Sequence, residues 1–119
     1  LTVVTWGAMV PRCERAADDL GGDIEVIDLR TLSPWDKETV IASVKRTHRC
    51  LVVHEDNITA GFGAEITAYL TENIFFELDA PPSRLAMPDV PSPHNPMLMN
   101  AVVPNVERIT EAMKDLLEF

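Results

Sequence analysis

Long apolar runs and cysteines are the features that this sequence most clearly lacks. No apolar stretch approaches the roughly 18–20 residues that a membrane span needs, and the chain does not open with the basic and apolar segments of a signal peptide. The only cysteines are Cys13 and Cys50, and no C-x-x-C pair is present. A disulfide scaffold and a zinc or redox motif are therefore not expected. We expect two buried, reduced thiols and a reducing compartment.

Positive charge is also scarce in the middle of the chain. Residues 50–107 carry eight acidic side chains and one base, Arg84, and the whole chain has a formal net charge of −9. Such a charge repels phosphate backbones and acidic membrane surfaces, so we expect neither nucleic acid nor membrane as a partner. The acidic residues form either a solvated face or a patch for a basic partner.

The remaining composition is that of one folded domain covering residues 1–119. With 46% hydrophobic and 24% charged residues, the chain has enough apolar material for a core and is not intrinsically disordered. It enters an apolar strand at Thr2 without an initiator methionine. We therefore expect a domain taken from a longer protein.

Apolar patterning alternates between strand and helix along the chain. Apolar and β-branched runs predict strands at 2–6, 24–29, 50–54 and 84–87. Helical spacing predicts four helices, which begin near residues 9–10, at 33–36, after 61–63 and after 105. Because each strand is followed by a helix, the fold class is α/β, a three-layer α/β/α sandwich with a largely parallel sheet.

The sequence also predicts the helix caps, the loops and the buried face of the last helix. Either Ser33 or Asp36 caps the second helix, and residues 55–60 form a loop. Six of the nine prolines lie between 81 and 96, which predicts an extended irregular segment apart from the strand at 84–87. Asn105 is expected to cap the last helix. The apolar face of that helix comprises Val106, Ile109, Ala112, Met113, Leu116 and Leu117.

Two local patterns invite a functional interpretation. His54 ends the third predicted strand, where ligands bind in open α/β sheets, and Glu55 follows it. The histidine therefore either has an acid–base or ligand role, or hydrogen-bonds a loop or a neighbouring subunit. Gly61-Phe62-Gly63 resembles half of a phosphate loop but lacks its remaining glycine or lysine. We expect Gly63 to permit tight entry into the helix and Phe62 to pack over an interface.

Catalytic motifs are otherwise missing from the sequence. There is no Gly-x-Ser-x-Gly turn, the two cysteines have no nearby base, and the three histidines lack metal-ligand spacing. We expect no catalytic, cofactor-binding or metal-binding residue in this chain.

Several motifs together resemble the C-terminal domain of transketolase-like enzymes, and more narrowly that of the beta subunit of 2-oxo acid dehydrogenases. In chain order they are Val4-Thr5-Trp6-Gly7, the run from Ile24 to Leu32 with Pro34, Asp36 and Thr39, Val52-Val53-His54-Glu55, Gly61-Phe62-Gly63-Ala64-Glu65-Ile66, Leu78-Asp79-Ala80-Pro81, Arg84, Asp89-Val90-Pro91-Ser92-Pro93 and Val103-Pro104-Asn105. The resemblance runs from end to end and implies a mixed, mostly parallel sheet of about five strands. Trp6, where tyrosine is commoner, and Ala86-Met87-Pro88, where glycine is frequent, depart from the family pattern.

The resemblance implies an assembly and docking role in a larger enzyme. Such enzymes use thiamine diphosphate with Mg²⁺ to decarboxylate a 2-oxo acid oxidatively and pass the acyl group to lipoamide. Their cofactor lies between two other domains, and no Gly-Asp-Gly motif occurs here, so the fragment itself is expected to bind no cofactor and to be inactive. The implied partners are an alpha subunit, a second beta subunit in a heterotetramer, and the basic binding domain of the lipoyl acyltransferase.

The interface residues that follow from these considerations form two groups. They are His54, Glu55, Gly61, Phe62 and Gly63, and, at the carboxyl end, Asp115, Glu118 and Phe119. The terminal group either offers anions to the acyltransferase or is a frayed helix end. Further apolar anchors, or else core residues, are Phe62, Phe75, Phe76, Met97 and Met99.

The sequence restricts the substrate and the cellular compartment less than it restricts the fold. His54-Glu55 and the phenylalanines of the third helix favour a branched-chain 2-oxo acid. Pyruvate dehydrogenase, acetoin dehydrogenase, deoxyxylulose-phosphate synthase and transketolase remain alternatives, as does a stand-alone regulatory or anion-binding module. We expect the cytoplasm for a bacterial protein and the mitochondrial matrix for a eukaryotic one.

Overall fold

A parallel sheet forms the centre of the fold in a computed structural model that describes residues 1–119. Its strands are β1 Thr2–Thr5, β2 Glu25–Asp28, β3 Cys50–Asn57 and β4 Ser83–Met87. They lie in the order β2-β1-β3-β4, and every neighbouring pair is parallel. The α/β/α class is confirmed. The sheet has four strands rather than about five, and none is antiparallel, because every connection returns the chain to the same edge of the sheet.

Five α-helices accompany the sheet. They are α1 Val10–Leu20, α2 Lys37–Thr47, α3 Phe62–Ile74, α4 Pro96–Val102 and α5 Val106–Glu118. Short 3₁₀ turns at Gly7–Met9 and Phe75–Glu77 precede α1 and follow α3. No helix combines the length and the apolar character that crossing a bilayer requires.

The core consists of two apolar layers, one on each face of the sheet. Val3 and Val4 are adjacent on β1 but belong to different layers, because successive strand side chains point to opposite faces. Val3 packs with Met113 of α5, and Val4 packs with Val44 of α2 and Leu70 of α3. The uninterrupted apolar runs of the strands are thus explained by helices on both faces.

Two elements differ from expectation at the carboxyl edge of the sheet. Strand β3 continues to Asn57 instead of ending in a loop at residue 55, because Asn57 pairs with Met87 beyond an irregularity in the ladder. Helix α4 begins at Pro96, the last residue of the proline-rich segment, and its seven residues were not predicted to be helical. Asn95 caps that helix through the Met97 N–H (2.9 Å), and Pro96 occupies its first turn, where no intrahelical N–H donor is needed.

The structure also decides the cap of α2, the buried face of α5 and the state of the two cysteines. Asp36, not Ser33, caps α2 by accepting a hydrogen bond from the Thr39 N–H (3.0 Å). Leu117 was wrongly assigned to the buried face, because it is 41% exposed beside the inward-facing Leu116. Both cysteines are buried and unpaired. Burial raises the pKa of the Cys13 thiol to about 11 and that of the Cys50 thiol to about 12.

Candidate functional site

The carboxyl edge of the sheet contains the crevice at which ligands usually bind in this architecture. The chain leaves β1 towards β2 on one side and then crosses to β3 on the other, so the strand order reverses between β1 and β3. Trp6 directly follows β1 at this point. Its ring stacks on the His54 imidazole, with centroids 5.4 Å apart, and meets the Phe62 ring edge to face at 6.0 Å. Three side chains of the domain itself therefore fill the crevice.

His54 is held within this cluster by close backbone contact. Its side chain is fully buried, and α3 begins directly against the ring. A Cβ atom on Gly61 would collide with the Asn57 carbonyl oxygen and lie 2.6 Å from Cε1 of His54, and one on Gly63 would lie 2.7 Å from Nε2 of His54. Neither glycine has a positive φ angle, so backbone conformation does not require glycine at these positions. Glycine is required because a side chain would not fit. The two glycines of the Gly-Phe-Gly pattern allow the start of α3 to pack directly against the buried His54 imidazole.

Neither nitrogen of the His54 imidazole has a hydrogen-bond partner. Burial lowers its pKa, against the smaller opposing effect of the Asp56 carboxylate. An unprotonated ring is the form that an apolar, aromatic surrounding tolerates. Because the ring presents no surface, His54 can contribute to an interface only by positioning Phe62 and the residues that follow β3.

The loop that follows β3 is tied to the segment that follows β4. The Asn57 side-chain amide donates to the Pro88 carbonyl (2.9 Å), and the Arg84 guanidinium donates to the Ile58 carbonyl (2.8 Å). Thr59 donates to Asp89 through both its N–H and its hydroxyl, and these bonds lower the pKa of Asp89. Glu55 is exposed beside this ordered loop.

An open cavity of about 620 Å³ lies next to the filled crevice. It is bounded by residues 32–35 and Lys37 at the start of α2, and by Ala60, Gly61 and the first turn of α3. Its charged side chains are Lys37 and Glu65, and the Lys37 ammonium lies 4.4 Å from the Tyr69 ring centroid, a cation–π contact. The cavity contains no cysteine or histidine, and its single lysine is already engaged by an aromatic ring.

The terminal interface residues lie at the opposite edge of the sheet. Phe119 and Asp115 line a cavity of about 290 Å³ together with Ser83, the first residue of β4. Since all strands are parallel, the start of β4 and the end of β3 are at opposite edges. The structure thus brings Asp115 and Phe119 together and separates them from His54, Glu55 and the two glycines. Glu118 is exposed and lines neither of the cavities described here.

Two contributions to these surfaces were not visible in the sequence. Trp6 was assigned to the first strand and to a family motif, and its role in filling the crevice depends on three separate segments meeting. Nothing in the sequence spacing predicts that Asn57 and Thr59 hydrogen-bond to Pro88 and Asp89, about thirty residues further along the chain. Of the expected exposed anchors, Phe75, Phe76 and Met97 are exposed, whereas Phe62 and Met99 are partly buried.

The family model for the C-terminal domain of transketolase matches residues 1–109. The chain belongs to the transketolase C-terminal domain family. The solved structure of a split gene transketolase, an inactive beta4 tetramer, superimposes with a TM-score of 0.84 over 98% of this chain and 39% of that chain at 22% identity. That likeness supports the fold of this transketolase C-terminal domain.

Relatives with higher identity are beta subunits of 2-oxo acid dehydrogenases, in agreement with the resemblance inferred from the motifs. The domain is 45% identical over 118 residues to the 2-oxoisovalerate dehydrogenase subunit beta of Pseudomonas aeruginosa, covering 99% of this chain and 33% of that protein. It is 41% identical to a mitochondrial 2-oxoisovalerate dehydrogenase subunit beta of Arabidopsis thaliana, covering 100% of this chain and 34% of that protein. It is also 41% identical to a pyruvate dehydrogenase subunit beta of Staphylococcus aureus, covering 100% and 37%. The chain thus spans about a third of the length of these relatives.

Proposed function

We propose that this domain is the subunit-assembly and docking domain of the thiamine-diphosphate-dependent component of a 2-oxo acid dehydrogenase complex. The intact enzyme would decarboxylate a 2-oxo acid oxidatively and transfer the acyl group to lipoamide. Similarity to beta subunits along the whole chain supports this function. The observation that carries it is the crevice filled by Trp6, His54 and Phe62, because it removes the usual ligand site of such a sheet. What the domain presents instead is protein surface.

Thiamine diphosphate and Mg²⁺ do not fit the residues of this domain. No Gly-Asp-Gly motif occurs, and no three side chains of the types that ligate metals are grouped together. The crevice that might accept a diphosphate is occupied by aromatic rings and bordered upstream by Glu55 and Asp56. We assign the cofactor to other domains of the intact enzyme and no catalytic step to these residues.

Different partners are assigned to the two edges of the sheet. The carboxyl edge, with Phe62 and Glu55 at its surface and His54 as their support, would contact the alpha subunit or the second beta subunit of a heterotetramer. The amino edge, with Asp115, Glu118 and Phe119, would receive the basic binding domain of the lipoyl acyltransferase. Exposed carboxylates beside an exposed aromatic ring are suited to arginine and lysine side chains.

Truncation of the full-length enzyme tests the docking role. Deleting Glu118 and Phe119 should weaken binding of the acyltransferase binding domain by about tenfold or more. This is the loss expected when an aromatic side chain that the partner covers in the complex is removed. Calorimetric titration of the assembled enzyme measures this. Glu111→Gln is the matched control, since it removes an exposed carboxylate from the same helix but lines a different cavity. Unchanged affinity after the deletion would refute docking at this corner.

We further propose a branched-chain 2-oxo acid as the substrate. The motifs around His54-Glu55 favoured this class, and two of the relatives are named for 2-oxoisovalerate, a branched-chain acid. The full enzyme should show a higher kcat/KM for 2-oxoisovalerate than for pyruvate. The reverse preference would assign it to the pyruvate class, whose beta subunits are almost as similar. The bacterial and mitochondrial relatives are compatible with either compartment proposed above.

A stand-alone anion-binding module is the competing function of another class. Its ligand would have to reach the amides at the start of α3, where the His54 ring and the acidic residues after it are unfavourable to phosphate. Calorimetric titration of the chain with inorganic phosphate and nucleotides is expected to release no heat. Saturable binding would favour the module over the docking domain.

A further inference from the structure

Two cavities at the amino edge of the sheet share two of their lining residues. One of about 420 Å³ is bounded by Phe75, Phe76 and the stretch 78–82, and the other of about 290 Å³ by Ser83 and the carboxyl-terminal turn of α5. Pro81 and Pro82 line both cavities. We call the surface formed by the two adjoining cavities the proline groove. It joins Phe75 and Phe76, noted from the sequence only as separate anchors, to the corner assigned above to docking.

Aromatic rings stand exposed on both sides of the proline groove. Phe76 is 98% exposed and Phe75 59% exposed on one side, and Phe119 is 73% exposed on the other. The rings of Phe75 and Phe76 pack edge to face with centroids 5.4 Å apart, and the Leu78 N–H closes their turn on the Phe75 carbonyl (3.2 Å). Large apolar groups held in place at a surface mark a contact site.

The charge around the proline groove is negative. Asp79 and Asp115 line it, one in each cavity. Asp79 has only a long ion pair with Arg49 (3.9 Å), and Asp115 has none. The nearby Glu77 is neutralised by Lys45 at 3.2 Å. Since no lysine or arginine lines the groove, a basic occupant is favoured.

We propose that the proline groove as a whole is the docking surface for a basic protein segment that also carries a large apolar side chain. The apolar side chain would lie on Pro81 and Pro82 beside Phe76, and cationic side chains would meet Asp79 and Asp115. This inference rests on the proposed function in assigning the segment to the acyltransferase. It adds Phe75 and Phe76 as anchors that set affinity, and it extends the site beyond the carboxyl terminus.

The test uses the full-length beta subunit assembled with its alpha subunit. Phe76→Ser should weaken binding of the acyltransferase binding domain about tenfold in a calorimetric titration, as loss of an aromatic anchor does. Within the domain Phe76 is 98% exposed, so the substitution removes no contact of the domain core; circular dichroism and sedimentation of the assembled enzyme check that the variant folds and assembles. Met97→Ser is the matched control: Met97 is 82% exposed but lines neither cavity of the groove. Its affinity is expected to equal that of the wild type.

The outcomes separate this inference from the function on which it rests. If deletion of residues 118–119 weakens binding while Phe76→Ser does not, the aromatic half of the groove is wrong and docking at the terminus stands. If Phe76→Ser alone weakens binding, the partner contacts only the aromatic half, and both docking at the terminal corner and the proposal for the groove as a whole are wrong. If neither change weakens binding, docking at the terminus and docking in the proline groove are both refuted. A change in the sedimentation of the assembled enzyme with Phe76→Ser would make the groove a subunit contact and overturn the docking inference.

Discussion

His54 illustrates how one buried side chain organises the carboxyl edge. Burying an imidazole without hydrogen-bond partners costs free energy, and stacking on the Trp6 ring offsets part of that cost. Gly61 and Gly63 leave the space that the ring occupies, because neither has a side chain. The packing is close enough that Phe62, located between the two glycines, is directed onto the Trp6 ring. The position of one surface residue thus depends on an unexposed one.

Gly63→Ala is expected to lower the free energy of unfolding by about 1–3 kcal/mol, because its new methyl group meets Nε2 of His54. Alanine normally favours a helix over glycine by about 1 kcal/mol, so the collision must outweigh that gain. In a His54→Ala background the same substitution should become neutral or stabilising. Denaturant unfolding of the four proteins forms the double-mutant cycle. Equal effects in both backgrounds would contradict this account of the glycine.

The pH dependence of stability should report on the same residue. Burial holds the pKa of His54 below its unfolded value of about 6.5, so the unfolded state binds more protons as the pH falls through that value. The neutral ring therefore contributes stability that is present above about pH 6.5 and is lost as the pH falls towards the folded pKa.

Unfolding free energies at about pH 7.5 and pH 5.5, on either side of the unfolded pKa, measure this loss. His54→Gln should show a smaller loss than the wild type, and the exposed His94→Gln should not differ from it. The pKa values of the Glu25 and Asp89 carboxylates are lowered further below this window by their hydrogen bonds to Ser43 and Thr59. An undiminished loss in His54→Gln would show that another group is responsible.

At the level of elements, α5 is defined by its cap as well as by its apolar face. The Asn105 side chain accepts a hydrogen bond from the Arg108 N–H (2.9 Å), and the Arg108 guanidinium donates to the Val102 carbonyl at the end of α4 (3.3 Å). These contacts orient a helix whose buried residues, Ile109 and Met113, belong to the same layer as α1. The carboxyl end of α5 carries the terminal half of the proline groove.

Asn105→Ala should lower the free energy of unfolding by about 1 kcal/mol, because a helix N–H loses its acceptor. Asn105→Asp keeps a capping oxygen and should retain most of the stability. Thermal or denaturant unfolding compares the three proteins. If alanine and aspartate have the same effect, the side-chain cap does not stabilise α5.

At the level of the whole molecule, the net charge of −9 bears on association with a basic partner. Attraction between exposed charges is screened over about 10 Å at 0.1 M salt and over about 3 Å at 1 M. Binding of the acyltransferase domain to the full enzyme should therefore weaken as sodium chloride is raised. Removing residues 118–119 should make this dependence shallower, since it removes the Glu118 carboxylate. Titrations over a salt series test this, and identical slopes would show that these charges do not face the partner.

Local pattern was a sound guide to most elements and to the fold class. The run at Val52-Val53 and the spacing of Ile109 and Met113 carry their periodicity in a few neighbouring residues, so strand and helix were predictable. Helix α4 was not, because prolines argue against regular structure unless one of them, here Pro96, occupies a first turn. Asp36 and Ser33 were equivalent as caps until the backbone of the chain selected one.

Periodicity and motifs of adjoining residues were sufficient to predict the alternation of strands and helices, the two apolar layers and the family. The stacking of Trp6 on His54, and the position of Phe76, Pro82 and Phe119 around two adjoining cavities, became known only from the folded chain. Both surfaces have the same origin. Such surfaces arise where segments many residues apart are brought together by the parallel sheet, and spacing along a chain carries no information about that contact.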